Sequence, residues 1–282
     1  MLETDKVIKA LLSFQRRCWE HGEAMQALYE FGAMDELVIM AKQAIVMSLP
    51  DGRPCVQNVD EAELVTDPCC AGEGLLAAYH YTGDEQFRIA YEKLKDYALH
   101  QAPRNREGIV YHVTRAPQFW LDSLYMLPPF LAVAGEYQEA LRQIDGFWDM
   151  LYDPEKQLMH WMWDDSQKKV VWPNFRSICN GFAIAGMERV ALLLPKEMNA
   201  EKQDLVRRTM LGIAVIAGKA CGLLDGYDDV LRYHRKTLVT EPDAAEHRKY
   251  EELREIFLEA RSCLTNVDHR LCEWTKRKDD VQ

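Results

Sequence analysis

The chain has no apolar run of membrane-spanning length; its longest runs, such as Leu211 to Gly218, have the length of buried helix segments. None of its eight cysteines stands in a CxxC spacing, and the scatter around the adjacent pair Cys69-Cys70 fits neither a disulfide scaffold nor a zinc site. Buried, reduced thiols in a cytosolic protein are the expectation. Positive charge is short as well. With 34 Lys and Arg against 45 Asp and Glu, the formal net charge of -11 argues against nucleic-acid binding through a general positive field and repels long polyanions. The start, Met1-Leu2-Glu3-Thr4-Asp5-Lys6-Val7-Ile8, lacks an apolar core followed by a small-residue cleavage site, so no secretory signal is expected. What is there is an ordinary globular composition, 48% hydrophobic, with ample material for a core. A small molecule or the end of a short oligomer suits it best as a ligand.

Along the chain a pattern of helix, tight turn and helix recurs. Leu28-Tyr29-Glu30-Phe31-Gly32 before Ala33-Met34-Asp35-Glu36-Leu37 resembles Ala78-Tyr79-His80-Tyr81-Thr82-Gly83 before Asp84-Glu85-Gln86-Phe87, and Leu131-Ala132-Val133-Ala134-Gly135 before Glu136-Tyr137 is a third copy. The turn glycines Gly32, Gly83 and Gly135 are 51 and 52 residues apart, which predicts an array of helical hairpins with glycine in a left-handed position after each first helix. Polar, turn-rich segments at residues 50–54, 103–108 and 153–156 separate the hairpins and read as long loops or short hairpin strands. Ile109-Val110-Tyr111-His112-Val113-Thr114 and Leu158 to Trp163 have strand character. The expectation is one mainly helical domain over residues 1–282. Near its end, Tyr250, Leu253, Phe257, Ala260, Leu264, Val267, Leu271 and Trp274 make an a/d stripe on a long amphipathic helix over residues 243–276, which either packs on its own domain or forms a homodimer.

One carboxylate stands in unusual company. Asp122 lies within Pro117-Gln118-Phe119-Trp120-Leu121-Asp122-Ser123-Leu124-Tyr125-Met126-Leu127-Pro128-Pro129-Phe130, among large aromatic and apolar residues. An acid in such surroundings must accept hydrogen bonds or hold its proton near neutral pH, because a low dielectric disfavours its charged form. Asp122 is therefore the first candidate for proton-transfer chemistry, with a buried acid fixing a helix start as the alternative.

Three blocks, in order, resemble the unsaturated rhamnogalacturonyl and glucuronyl hydrolases of glycoside hydrolase families 105 and 88. They are Asp67-Pro68-Cys69-Cys70-Ala71-Gly72 with Tyr81-Thr82-Gly83-Asp84; Gly108-Ile109-Val110-Tyr111-His112 leading into Pro117 to Met126; and Leu158-Met159-His160-Trp161-Met162-Trp163-Asp164 with Asn180-Gly181-Phe182. Trp19-Glu20-His21-Gly22 adds a weaker match. The resemblance implies an all-α fold, the (α/α)6 six-hairpin barrel, here either incomplete or closed by divergent C-terminal hairpins. It also implies a reaction that uses no metal and no cofactor. A carboxylic acid protonates the 4,5 double bond of an unsaturated uronyl residue, water adds at the neighbouring carbon, and the hemiketal opens to release the sugar. By position, Asp122 matches the acid/base and Asp67 the second carboxylate. Asp67 before Pro68 also has the form of a helix N-cap, so capping stands beside catalysis.

The resemblance further places His112 and His160 in loops that contact substrate, with Gln118, Trp120 and Trp163 in the same motifs; Trp161 is another ring that would stack on a sugar. The family's Trp-x-Arg-Gly-Asn-Gly-Trp segment is altered to Arg176-Ser177-Ile178-Cys179-Asn180-Gly181-Phe182, so Arg176 supplies the carboxylate-binding cation only after a small shift of the loop. Beyond Cys221-Gly222-Leu223-Leu224 the family pattern is lost. Acids kept and sugar-binding groups altered leave two enzymatic readings: hydration of an unsaturated uronyl sugar, or a repurposed barrel acting on a non-sugar alkene by proton transfer. A non-catalytic binding protein is the third. No nucleic-acid or membrane partner is expected.

Overall fold

The computed structural model describes residues 3–220. After α1 (Glu3–Phe14) come four hairpins. α2 (Cys18–Phe31) pairs with α3 (Met34–Val46), and α4 (Gly72–Thr82) with α5 (Glu85–Asp96). A single turn, α6 (Ser123–Met126), precedes α7 (Pro128–Val133), which pairs with α8 (Tyr137–Leu151); α9 (Ser177–Leu193) pairs with α10 (Asn199–Ala220). Gly32, Gly83 and Gly135 follow the first helices of three hairpins with φ of 77°, 69° and 79°, the left-handed backbone that the repeat predicts. The first helices stack on one another, α2 on α4, α4 on α7 and α7 on α9. The helix expected over 243–276, its dimer role and the altered segment at Cys221 lie outside the described residues.

Short strands fill the connections, as expected over Leu158 to Trp163 but not over Ile109 to Thr114. β1 (Gln118–Trp120) pairs with β4 (Met162–Asp164), which pairs with β5 (Lys169–Trp172), while β2 (Tyr152–Asp153) and β3 (Leu158–Met159) form a small hairpin around the turn at 154–157. Ile109 to Thr114 is not a strand. It makes only the isolated bridges Arg104 with Val110 and Leu64 with Val113. Its backbone groups find irregular partners instead: the Val110 amide donates to Gln143 Oε1 at 2.9 Å, the Tyr111 amide to the Pro103 carbonyl at 3.0 Å, and the His112 amide to the Gln118 carbonyl at 2.8 Å. Its apolar character reflects burial of Ile109, Val110 and Val113 rather than a ladder. The described cysteines Cys18, Cys55, Cys69, Cys70 and Cys179 are free and buried.

Two close approaches set the interior. A Cβ on Gly22 of α2 would come within 2.7 Å of the Cys70 backbone, and one on Gly186 of α9 within 2.0 Å of the Leu124 carbonyl oxygen. Each glycine thus presses a first helix onto a turn that follows an acid, Asp67 in one case and Asp122 in the other. Arg189 of α9 adds polar links across the interior, to Glu30 of α2 at 2.6 Å and to Glu73 of α4.

Gly186→Ala is expected to destabilise the fold by about 1–3 kcal/mol, because a rigid carbonyl must move. Gly181→Ala on the same helix, where a Cβ meets nothing within 4 Å, is expected to stabilise by about 0.5–1 kcal/mol. Chemical denaturation of both variants checks the contrast; equal effects would contradict the packing described.

Candidate active site

Three segments laced by backbone hydrogen bonds carry the site. The Val65 amide donates to the His112 carbonyl at 2.8 Å, the His112 amide to Gln118 at 2.8 Å, and the Leu121 amide to the Trp161 carbonyl at 2.9 Å. This brings together the tight 3-10 turn Asp67–Ala71, the bridge segment at His112 and the turn after β1. One oxygen of Asp67, one of Asp122 and a ring nitrogen of His112 all lie within 4.8 Å of one another.

Neither acid is occupied as a helix cap. Thr66, not Asp67, holds the N-cap position of its turn, with Pro68 early in the turn where a missing N–H is harmless. Asp122 stands at the N-cap of α6 but makes no side-chain cap bond. The Oδ1 atoms of both acids are buried without a hydrogen-bond partner among the described residues. Burial first, and then the charges of Asp122 and Glu61, push the Asp67 carboxyl well above the usual carboxylate range; the Thr66 hydroxyl opposes this in part. Burial and the neighbouring acid thus both favour the protonated form of Asp67.

His112 is buried, and burial pulls its imidazole below the ordinary histidine value despite Asp122. Its Nδ1 lies 3.7 Å from Asp67 Oδ1, too far for a hydrogen bond, and burial disfavours the charged imidazole that a salt bridge needs. Nδ1 is instead engaged by two hydroxyls, Thr66 Oγ1 at 3.0 Å and Ser123 Oγ at 2.9 Å, which are 3.0 Å from each other. The trio of acids and imidazole has the donor types of a cation site, but an Asp67 pushed toward its protonated form and an Nδ1 held by hydroxyls suit proton transfer better.

An aromatic wall rises from the His112 ring. Trp120 stacks on it at 4.2 Å, Trp161 follows at 5.6 Å from Trp120, and the Arg176 guanidinium lies 3.5 Å over the Trp161 ring. Gln118 accepts a hydrogen bond from Trp120 Nε1 at 3.2 Å and so fixes the ring. Cys179, pushed up to about 11 by burial and then by Asp122, is drawn down by Arg176, which places both charges near it. His112 thus borders the acid pair, Trp120 stacks on it, and Gln118 and Arg176 contact the rings of the wall.

Two residues grouped with them in sequence go elsewhere. Trp163 pairs with Phe119, and Phe119 is buried in the core against Tyr111 and Phe147, so strand alternation turns Trp163 away from Trp120. It lines a separate cleft of about 620 Å³ with Arg142, Asp145 and Lys168. His160 stacks on Phe175 at 4.6 Å and faces Asp153 at 3.5 Å, contacts of the β2–β3 hairpin rather than of the acids. Conversely, the hydroxyls of Thr66 and Ser123 were not singled out from the sequence. The available signal was a hydroxyl residue next to each acid, Thr66-Asp67 and Asp122-Ser123.

Comparison with known proteins bears on the family and on the fold. The sequence model of Glycosyl Hydrolase Family 88 matches residues 3–212. The chain is 27% identical over 192 residues to unsaturated rhamnogalacturonyl hydrolase YesR of Bacillus subtilis, covering 62% of this chain and 54% of that protein. Its fold is similar to a family 105 glycoside hydrolase of C. acetobutylicum, with a TM-score of 0.59 and 20% identity over 72% of this chain and 60% of the other. It is also similar to a possible family 105 member from Klebsiella pneumoniae, with a TM-score of 0.58 and 20% identity over 70% and 53%. The chain spans about half the length of the curated relative it matches. The four described hairpins are part of the six-hairpin architecture of these folds.

The state of Asp67 has a consequence for stability. A carboxyl whose value is raised in the folded protein contributes fully below about pH 4, its unfolded range, and loses that contribution as pH rises through its folded value. Asp67→Asn has no such loss. The thermal midpoint of the variant is therefore expected to gain on that of the parent as pH rises from 4 to 8; parallel curves would show that Asp67 ionises normally.

Proposed function

Because the chain belongs to Glycosyl Hydrolase Family 88, matched over residues 3–212, we propose that it hydrates the enol ether of an unsaturated uronyl sugar by acid and base catalysis. The observation that carries this reading is the pair of buried Asp67 and half-buried Asp122, close together and each with a buried oxygen lacking a hydrogen-bond partner among the described residues.

Asp122 is the more open member, and it contacts the reacting carbons. The proton retained by the pair passes from Asp122 to the alkene carbon, leaving positive charge at the neighbouring carbon beside the ring oxygen. The resulting carboxylate then takes a proton from the water that attacks there, and the hemiketal opens to release the remaining sugar. Each proton transfer contributes about 10² to 10⁴-fold. Asp67 keeps the pair supplied with a proton, since two adjacent acids in a low dielectric do not both ionise. Trp120 and Trp161 give the sugar ring a flat apolar face, and Arg176, held over Trp161, takes its carboxylate. His112, locked by Thr66 and Ser123, orients Trp120 and borders the acids. The relative named an unsaturated rhamnogalacturonyl hydrolase supports an oligosaccharide with an unsaturated uronyl end as substrate.

Purified protein offered a panel of unsaturated uronyl disaccharides is expected to remove their ultraviolet absorbance, and Asp122→Asn to lower kcat by at least about 10²-fold while the fold is retained. Absence of turnover across the panel would overturn the reading. Activity is also expected to survive exhaustive EDTA treatment. Loss restored by a divalent ion would make the acid and imidazole trio a metal centre instead.

A further inference from the structure

Four residues of α2, Trp19, Glu23, Gln26 and Glu30, follow spacings of four, three and four and form one stripe that faces α6 and α9. Three of them have partners there. Trp19 packs edge-on against Phe182 at 6.1 Å, Gln26 Oε1 accepts from the Tyr125 hydroxyl at 2.8 Å, and Glu30 pairs with Arg189 at 2.6 Å. Glu23 is the exception. Its Oε1 is buried with no hydrogen-bond partner among the described residues, although it is bracketed by partnered groups one turn before and one turn after.

A buried polar atom without a partner is unfavourable, and a helix stripe that satisfies every other rung does not leave one open for packing reasons. Glu23 lies close enough to Asp67, Cys70 and Tyr125 for its charge to push each of them up. It therefore lies near Asp67, on α2. We propose that Glu23 is a specificity-determining residue whose carboxyl hydrogen-bonds a ring hydroxyl of the substrate, an assignment that rests on the sugar-hydrating function above.

The surroundings select a hydroxyl over a charged group. Glu20 and Asp67 are the acids nearest to it, and the nearby cation Arg189 is already engaged by Glu30 and Glu73. A substrate carboxylate would meet only acids here. A hydroxyl can both donate and accept, and so suits a carboxyl in either protonation state. Burial, then Glu20, pushes Glu23 up to about 7, so both states are within reach. The sugar would then lie with its carboxylate toward Arg176 and its hydroxyl edge toward α2.

The test is steady-state kinetics and thermal unfolding of the wild type, Glu23→Ala and Glu23→Gln on the unsaturated disaccharide panel. Glu23→Ala is expected to lower kcat/KM about tenfold, mostly through KM, and Glu23→Gln less, because an amide still donates and accepts. Both variants are expected to unfold at or above the wild-type temperature, since an unsatisfied buried acid has been removed. An unchanged KM, or a lower unfolding temperature in both variants, would make Glu23 a structural residue and overturn the assignment. Wild-type protein that turns over no member of the panel removes the sugar-hydrating function and this assignment with it; wild-type turnover with unaltered variants removes the assignment alone.

Discussion

Everything about the site depends on keeping a carboxyl out of water next to a second one. Left in solvent, Asp67 and Asp122 would both ionise near pH 4 and neither would hold a proton to give. In the interior, burial and the charge of Asp122 push Asp67 well above the usual carboxylate range, which favours retention of a proton by the pair. Holding two unsatisfied oxygens together is unfavourable, and the rest of the chain supplies the rigidity that prevents the turns from relaxing outward.

That rigidity has identifiable sources. Gly22 and Gly186 let two helices press directly on the backbone just after each acid, so the turns have no room to shift. Arg189 links three hairpins around the same interior. Thr66 and Ser123, each adjacent in sequence to one acid, meet at the His112 ring and join the two turns through a buried imidazole. The hydroxyls thus serve position more than proton transfer, and the imidazole they fix carries the first ring of the aromatic wall.

The hairpin array was legible because it repeats: three left-handed glycines at nearly constant spacing have one physical explanation, and the backbone adopts it. Asp122 was legible from its neighbours, since an acid among aromatic residues has few ways to be stable. Asp67 was legible only through the order of the sequence blocks, because Asp before Pro reads equally well as a cap. Trp163 was misplaced for a definite reason. A spacing of two puts both Trp161 and Trp163 on one face of a regular strand, whereas Trp161 lies just outside β4 and the ladder is irregular between Met162 and Trp163. Ile109 to Thr114 has the composition of a strand, yet its amides donate to a glutamine side chain and to the carbonyls of Pro103 and Gln118. Glu23 gave no signal, since its isolation is visible only once Tyr125, Phe182 and Arg189 are seen to satisfy its neighbours and leave it aside.

The central claim concerns one proton, and it can be observed directly. Carbon-13 NMR of side-chain carboxyls in labelled protein, titrated from pH 3 to 9 in the wild type and in Asp122→Asn, follows Asp67 itself. The account predicts a carboxyl still protonated at pH 7 in the wild type, with its midpoint falling once the neighbouring charge is gone. An Asp67 signal already that of a carboxylate by about pH 5, and unmoved by Asp122→Asn, would contradict it.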